Sequence, residues 1–426
     1  RKAPPKAALV QLRNLRIVVA GMKGVAMTRL LPLVVAGFAL LLIASHAAAA
    51  VPHTDNPREP RDGREVLEPR ELWNRGHEDD EEIFFGAINT VEVGPDGGIY
   101  VLDTQRAQVC VFDQQGELLR ILSREGDGPG ETRRPEDLVF LPDGSLGIAL
   151  LINGKIVRID LDGTPRGSLM PPGPAREEGG ISSIRRVRYR AGTFVINGTR
   201  VQQGDDGMER NQYIDGCDEN AQTLVVYHST SRVSNLLRDG FVEKLHYFPS
   251  HERWDIDFEG RVLAAVHRNE YVVNLYAPGG ELLRTFGRDC EPWRRTEAEK
   301  QLIRDSIRVM SEGRPVSVPV EVEDQALAVE RLHAMPGGET WVLPTRGFRE
   351  QPEGVMMTFD VFDEDLVFVR QVSIALDADP DDDKLVFLEG RRFALIRGQQ
   401  QARRNTYGGT KGEVQEVEVN DLTIYA

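Results

Sequence analysis

Short apolar runs of four to six residues alternate along this chain with polar turns that end in glycine, and the alternation repeats. Six of the turns share a form: Pro95-Asp96-Gly97, Pro142-Asp143-Gly144, Ala191-Gly192, Phe258-Glu259-Gly260, Pro336-Gly337-Gly338 and Leu388-Glu389-Gly390, each between two apolar runs. Runs of this length bounded by Gly, Pro and Asp predict β-strands joined by tight turns, because glycine accepts the left-handed backbone such turns need. The first unit predicts strands at 88–93, 99–102, 109–112 and 118–122, with turns at 95–97 and 113–116. The second and fourth units repeat it, and Glu117-Leu118-Leu119-Arg120 returns as Glu281-Leu282-Leu283-Arg284. Units three and five are looser, and the strand register is least defined between Leu224 and Phe248.

The six glycines lie 47, 48, 68, 78 and 52 residues apart. A self-similar unit of about 40–50 residues built from four short strands marks a β-propeller blade. The pattern therefore predicts an all-β, six-bladed β-propeller of four-stranded antiparallel blades. The two long intervals each hold an insertion: the polar stretch Gly198–Asn220, and a segment from Cys290 to about Val320. In the second, Thr296 and Glu299 form a capping box, Leu302, Ile303, Ile307 and Met310 share a face, and Gly313 ends the run. That predicts one helical insertion near 293–312. The sixth unit lacks a fourth strand, while Glu71-Leu72-Trp73-Asn74-Arg75 resembles the fourth-strand phrase Glu117–Arg120. An N-terminal strand is expected to complete the last blade and close the ring, removing two open sheet edges. The expected organisation is a single domain over 66–426, preceded by a flexible linker at 51–65.

The segments Ile99-Tyr100-Val101-Leu102-Asp103, Val111-Phe112-Asp113-Gln114-Gln115-Gly116-Glu117-Leu118-Leu119-Arg120 and Arg124-Glu125-Gly126-Asp127-Gly128-Pro129-Gly130-Glu131 carry a family resemblance. Over roughly residues 66–426 the chain resembles the bacterial six-bladed β-propellers related to NHL-repeat and TolB-like proteins. The resemblance implies the architecture. For activity it implies only a range, since lyases, lactone hydrolases, sensor ectodomains and plain binding scaffolds share this fold.

Residues 1–50 hold seven Lys or Arg and no acid, and include the 14-residue apolar stretch Leu30–Ile43 followed by Ala47–Ala50. A basic region, an apolar core shorter than the ~20 residues of a spanning helix, and small residues before Val51 predict a secretory signal peptide. Met22 or Met27 is its expected start, and residues before it are not expected in the working protein. No cysteine lies near the cleavage region, so release into the periplasm or medium is expected in place of a lipid anchor. Loss of the seven charges takes the formal net charge from −15 to −22. An acidic mature protein repels nucleic acid and anionic membranes as a whole. Neither is an expected partner, no membrane span is expected in the mature chain, and a monomer is expected. Cys110, Cys217 and Cys290 form no CxxC pair, which excludes a zinc ribbon or redox motif. Cys110 reads as a core residue, and a Cys217–Cys290 bridge stays open on loops expected to share a face.

In a four-stranded blade, the turns joining strands one to two and three to four fall on one face of the disc. The connections from two to three and from blade to blade fall on the other. The first set is short here, and the second holds the length: Ser123–Pro135, Pro171–Gly180, Gly198–Asn220, Asp289–Gln325, Thr345–Gly354 and Gly398–Gly412. Long loops on a rigid scaffold are the usual seat of function. Second-strand ends are expected to ring the channel mouth on that face: Asp103, Asn153, Asn197, His267, Arg268, Arg346 and Arg397, joined by Arg253, Arg331 and Lys384 at first-strand starts.

Asn197, His267 and the arginines Arg253, Arg268, Arg331, Arg346 and Arg397 could receive a small anionic ligand through charge-assisted hydrogen bonds. The same charges could instead pair with Glu78–Glu82 and Asp377–Asp383. The favoured function is a secreted or periplasmic scaffold that binds a protein, glycan or small anionic ligand without catalysis. The alternative is a metal-assisted lyase or lactone hydrolase at the channel mouth, with His77, His267 and Asp103 as candidate catalytic residues and a divalent cation as cofactor. Neither histidine stands in an HxH or HExxH spacing, and no GxSxG elbow, phosphate loop or GxGxxG is present. Asp377, Asp379, Asp381 and Asp383 alternate as calcium ligands would, but no glycine stands where a calcium loop turns. A solvated charge run, with no cofactor, is the expectation. Tyr100, Trp341 and Phe393, each three residues after a turn glycine, are expected to pack between blades.

Overall fold

The computed structural model describes residues 51–174, 179–246, 250–311, 314–389, 392–408 and 420–426. The expected leader at 1–50 and the glycines Gly313 and Gly390 lie outside these residues. The described residues form six four-stranded antiparallel sheets, each a blade. Blade 1 runs Ile88–Val93, Ile99–Asp103, Gln108–Phe112, Leu118–Leu122, and blade 2 runs Pro135–Phe140, Leu146–Leu150, Ile156–Ile159, Pro165–Leu169. Blade 3 has the longest strands, Ile181–Arg190, Thr193–Gly204, Gly207–Cys217 and Thr223–Ser234. Blade 4 runs Trp254–Ile256, Val262–Ala264, Val272–Tyr276, Leu282–Arg288, and blade 5 runs Val329–Ala334, Thr340–Pro344, Met357–Phe362, Phe368–Ile374. Blade 6 takes Lys384–Leu388, Arg392–Ile396 and Leu422–Tyr425 from the C-terminal part of the chain and Glu71–Arg75 from the N-terminal part. First strands of successive blades from 1 to 5 touch around a central channel, and that of blade 6 meets that of blade 1.

The closing strand pairs as expected: Glu71 lies opposite Tyr425, Trp73 opposite Ile424 and Asn74 opposite Thr423. Trp73 is buried and packs on Phe112 of blade 1, ring centroids 5.7 Å apart. Three further blade boundaries, 1 to 2, 4 to 5 and 5 to 6, are also aromatic. Tyr100 meets Phe140 edge-on at 5.0 Å, Phe286 meets Phe362 at 4.9 Å, and Trp341 meets Phe387 at 5.5 Å. Such pairs add about 0.5–1.5 kcal/mol each beyond the area they bury. The turn glycines are required by backbone geometry: Gly260 has φ +80°, and an added Cβ would lie 2.8 Å from Thr193 Oγ1.

Four features differ from the reading of the sequence. Residues 51–65, expected as a flexible linker, supply strands that lie parallel to the outer edges of two blades: His53–Asn56 on blade 4 and Arg64–Leu67 on blade 5. Asn56 fixes this strap, because its buried Nδ2 donates to the carbonyls of Gly287 and Leu366 at 2.9 and 3.0 Å while its Oδ1 accepts from Phe368 N at 2.9 Å. Edge strands of this kind are short and polar, so they lack the apolar alternation that announces a core strand.

Gly198–Asn220, expected as an inserted loop, instead prolongs the second and third strands of blade 3 into a hairpin that turns between Gly204 and Gly207. That moves Cys217 to the short-turn end of its strand, on the face opposite Cys290, and all three cysteines are free. The helix spans Glu297–Ser306 and ends at Ile307, short of the expected 312. Its capping box forms: Thr296 Oγ1 accepts from Glu299 N at 3.2 Å and Glu299 Oε2 accepts from Thr296 N at 2.7 Å. No helix among the described residues is long and apolar enough to cross a membrane.

Candidate functional site

Side chains alternate across a strand, so the innermost strand of blade 3 points Arg186, Arg188 and Arg190 into the channel, a cavity of about 650 Å³. Arg188 sits between two carboxylates, with Nη1 3.1 Å from Asp137 Oδ2 and Nη2 3.2 Å from Glu92 Oε1. Asp137 Oδ2 also accepts from Val187 N at 2.8 Å. Arg186 donates to the carbonyls of Trp254 and His251 at 2.7 and 3.1 Å and lies 3.6 Å from Asp255. Arg331 Nε is 3.2 Å from Glu252, and Lys384 Nζ lies 4.0 Å from the same carboxylate and 3.0 Å from the carbonyl of Asn89. Helix Gln399–Gly408 lies over the mouth, where Arg403 meets Glu136 at 3.0 Å and also bonds Asn89 Oδ1.

Burial alone would raise the Glu252 carboxyl, but Arg331 and Lys384 outweigh it and hold the group well below its usual range. Burial dominates at Glu92 and raises it despite Arg188. Burial, reinforced by Arg186, pushes the His333 imidazole down to about 3, and burial pushes His251 down to about 4. Both rings are neutral at neutral pH. The channel is thus a network of cations matched by carboxylates.

The residues singled out from sequence do not converge into one ring. Arg331 and Lys384 line the channel, Asn197 borders it, and Arg253 is buried. Asn197 Nδ2 donates to Tyr213 O at 2.7 Å and Ser250 Oγ at 3.0 Å. Asp103 is buried and accepts from the backbone N–H groups of Gly86, Ala87 and Arg106 at 2.7, 3.1 and 3.0 Å, which makes it a structural staple. Arg268 pairs with Glu243 at 2.6 Å, Arg346 with Glu350 and Glu291, and Arg397 with Asp383 at 3.6 Å. His77 is exposed and its Nδ1 accepts from Asp79 N at 3.3 Å. In the acidic run, Asp381 binds Arg349, and Asp383 accepts from Gly398 N and Asp379 N. Among the described residues no group of three or more His, Cys, Asp or Glu is placed to hold a metal ion.

A second cavity, about 760 Å³, opens beside the channel on the long-loop face, and Arg210, Gln212 and His246 border both. One wall is the prolonged sheet of blade 3. Its register sets Arg210 opposite Arg232, and Gln212 opposite Thr230. The two-residue period then puts Met208, Arg210 and Gln212 on the same face as His228, Thr230 and Arg232. The facing wall is the segment from Leu236 to His246, with Ser306 at the end of the inserted helix and Ile307–Val309 after it. Strand Phe241–Val242 pairs with Val320–Glu321, and buried Glu243 accepts from Arg268 and Arg295 at 2.6 and 2.7 Å, which anchors that wall.

Among the described residues, Arg210, Arg232, Lys244 and Arg308 line this cavity with no carboxylate partner, and no Asp or Glu lines it. Like charges set directly opposite on paired strands are destabilising. Burial and the Arg185 charge lower the Arg210 guanidinium, and burial with Arg210 and Arg232 lowers His246. His267 borders this cavity and not the channel, 4.0 Å from Glu270. The site was missed in sequence because Gly198–Asn220 read as a loop. The signal that could have found it is the turn Asp205-Asp206-Gly207 between two runs of similar length, a short hairpin turn.

The model of the DUF5128 family, a 6-bladed beta-propeller, matches residues 78–168. The chain is a six-bladed β-propeller. No curated protein matches its sequence. Among solved structures it is similar to a member of the DUF4221 family from Bacteroides vulgatus, at 8% identity and TM-score 0.45, covering 84% of this chain and 97% of that one. It is similar to a gluconolactonase from Xanthomonas campestris, at 9% identity and TM-score 0.42, covering 80% and 87%. A virginiamycin B lyase from Staphylococcus aureus aligns at 8% identity and TM-score 0.39, covering 82% and 83%. The activities in those names are those proteins' own.

Proposed function

We propose that this propeller is a non-catalytic binding scaffold for a small anionic ligand, held on its long-loop face in the blade 3 cavity. The observation that carries the reading is Arg210 opposite Arg232, with Lys244 and Arg308 nearby and no carboxylate among the described lining residues, in a chain of net charge −15. Two guanidinium forks present paired N–H donors to a carboxylate, sulfate or phosphate. All four cations are exposed, so their attraction for an anion weakens as salt is added. The cavity volume suits a small molecule better than a protein surface. The basic, then apolar, stretch at 1–50 supports export to the periplasm or medium.

The metal-assisted lyase or hydrolase reading needs His77 or His267 beside Asp103 or Asn197. Asp103 is committed to backbone N–H groups and Asn197 to Tyr213 and Ser250, so the geometry favours binding. Calorimetric titration with sulfate, phosphate and short carboxylates tests the reading. Saturable binding that falls at least tenfold in R210A/R232A is expected. Equal binding by both proteins, or none by the wild type, would overturn it.

A further inference from the structure

We infer that the ligand of this cavity is amphipathic: an anionic head group joined to an apolar chain or ring. The inference rests on the reading of the cavity as an anion site and adds what lies beyond the anion. The cavity lining is mixed in chemistry. The sheet wall presents Arg210, Arg232, Thr230 and His228 with Met208 at its end, and the facing segment presents Leu236, Leu237, Phe241 and Leu245 beside Lys244, with Ile307 and Val309 flanking Arg308 after the inserted helix. Leu237, Leu245 and Met208 remain 58%, 40% and 43% exposed, although all three border one cavity. The turn of helix Leu236–Asp239 buries none of its residues, so its leucines contribute nothing to the propeller core. Apolar side chains gathered around one concavity and left uncovered mark a ligand or partner surface.

The wall that carries them is held in place. Asn235 Oδ1 caps the helix at Arg238 N, the strand Phe241–Val242 is paired, and Glu243 is bound by two arginines. A preformed cluster of leucines opposite a preformed pair of guanidinium groups fits a molecule with two ends. The head group, whether carboxylate, sulfate or phosphate ester, meets Arg210 and Arg232. The apolar body lies along the leucines. A volume of about 760 Å³ falls within the range of roughly 300–1,000 Å³ typical of sites that enclose such molecules.

The test is a calorimetric series of inorganic sulfate and butyl, hexyl and octyl sulfate below their micellar concentrations, with octyl glucoside as a neutral amphiphile. It compares the wild type with R210A/R232A and with Leu237→Ser combined with Leu245→Ser, each checked for native circular dichroism. The wild type is expected to bind one molecule, with affinity rising roughly threefold to fourfold per added methylene. The leucine variant is expected to flatten that rise, and the arginine variant to bind at least tenfold more weakly at every length. Sulfate binding that does not strengthen with chain length overturns the amphipathic inference while the anion site stands. Failure of every anion to bind overturns the anion site itself. Octyl glucoside binding as tightly as octyl sulfate also overturns the inference, because the head-group charge would then not be read.

Discussion

The central channel and the blade 3 cavity both bring arginines together, with opposite consequences. In the channel, Arg188 is clamped between Glu92 and Asp137, Arg331 and Lys384 share Glu252, and Arg403 reaches Glu136. In the cavity, Arg210 faces Arg232 across a strand pair and no described carboxylate answers them. The count of cations is therefore a poor guide to a binding site, whereas their partners are a good one. A cation with its carboxylate already in place holds blades together. Unmatched cations hold a position that an incoming anion can stabilise.

The largest effect expected from this contrast lies in the channel. Arg188→Met leaves Glu92 and Asp137 facing each other without their shared cation, and should lower the unfolding free energy by about 3–5 kcal/mol in denaturant melts. A loss below about 1 kcal/mol would mean that water supports those carboxylates and that the channel is no structural clamp. Next comes the cavity. R210A/R232A should lower anion affinity by about tenfold to a hundredfold while leaving unfolding free energy within about 0.5 kcal/mol or slightly improved. If it destabilises as Arg188→Met does, the arginine pair is structural and the contrast fails.

Acid should destabilise the channel. His333 and His251 have folded-state values of about 3 and about 4, below the roughly 6.5 of an unfolded histidine. The unfolded chain therefore binds more protons in that window. Their contribution is fully present above about pH 6.5 and is lost as pH falls toward the folded values, by up to ~1.4 kcal/mol per pH unit per histidine. Thermal melts from pH 7 to 5 should show this fall, with a shallower slope in His333→Asn. A flat profile would contradict half-buried rings held neutral. The smallest effect is expected from Thr296→Ala, which removes the helix cap at a cost of about 1 kcal/mol. Amide exchange should then quicken in 297–306 and leave the first strands unchanged. Quickening of the first strands would tie the insertion to the channel.

The blades were legible in the sequence because each depends on a local turn. Gly97, Gly144, Gly192, Gly260 and Gly338 all adopt φ between +78° and +87°, a backbone that few other residues take. The closing strand was legible because Glu71–Arg75 repeats the phrase of the fourth strands it joins. The cavity was not, because its wall is a sheet with polar residues on both faces, and polarity without apolar alternation resembles a loop. The strap at 51–67 escaped for the same reason. The channel was half legible: Arg331 and Lys384 came from first-strand starts, but Arg186, Arg188 and Arg190 on the inward face of Ile181–Arg190 are visible only by alternation along that strand, which strand ends do not reveal. A partner cannot be read from one residue, so the pairing of Arg268 with Glu243 emerges only once blades 3 and 4 are assembled.

The most direct measurement is the position of a bound anion. Crystals soaked in selenate and measured at the selenium edge should show an anomalous peak between Arg210 and Arg232, and none beside Arg186, Arg188 or Arg331. A peak in the channel with the blade 3 cavity empty would contradict the account.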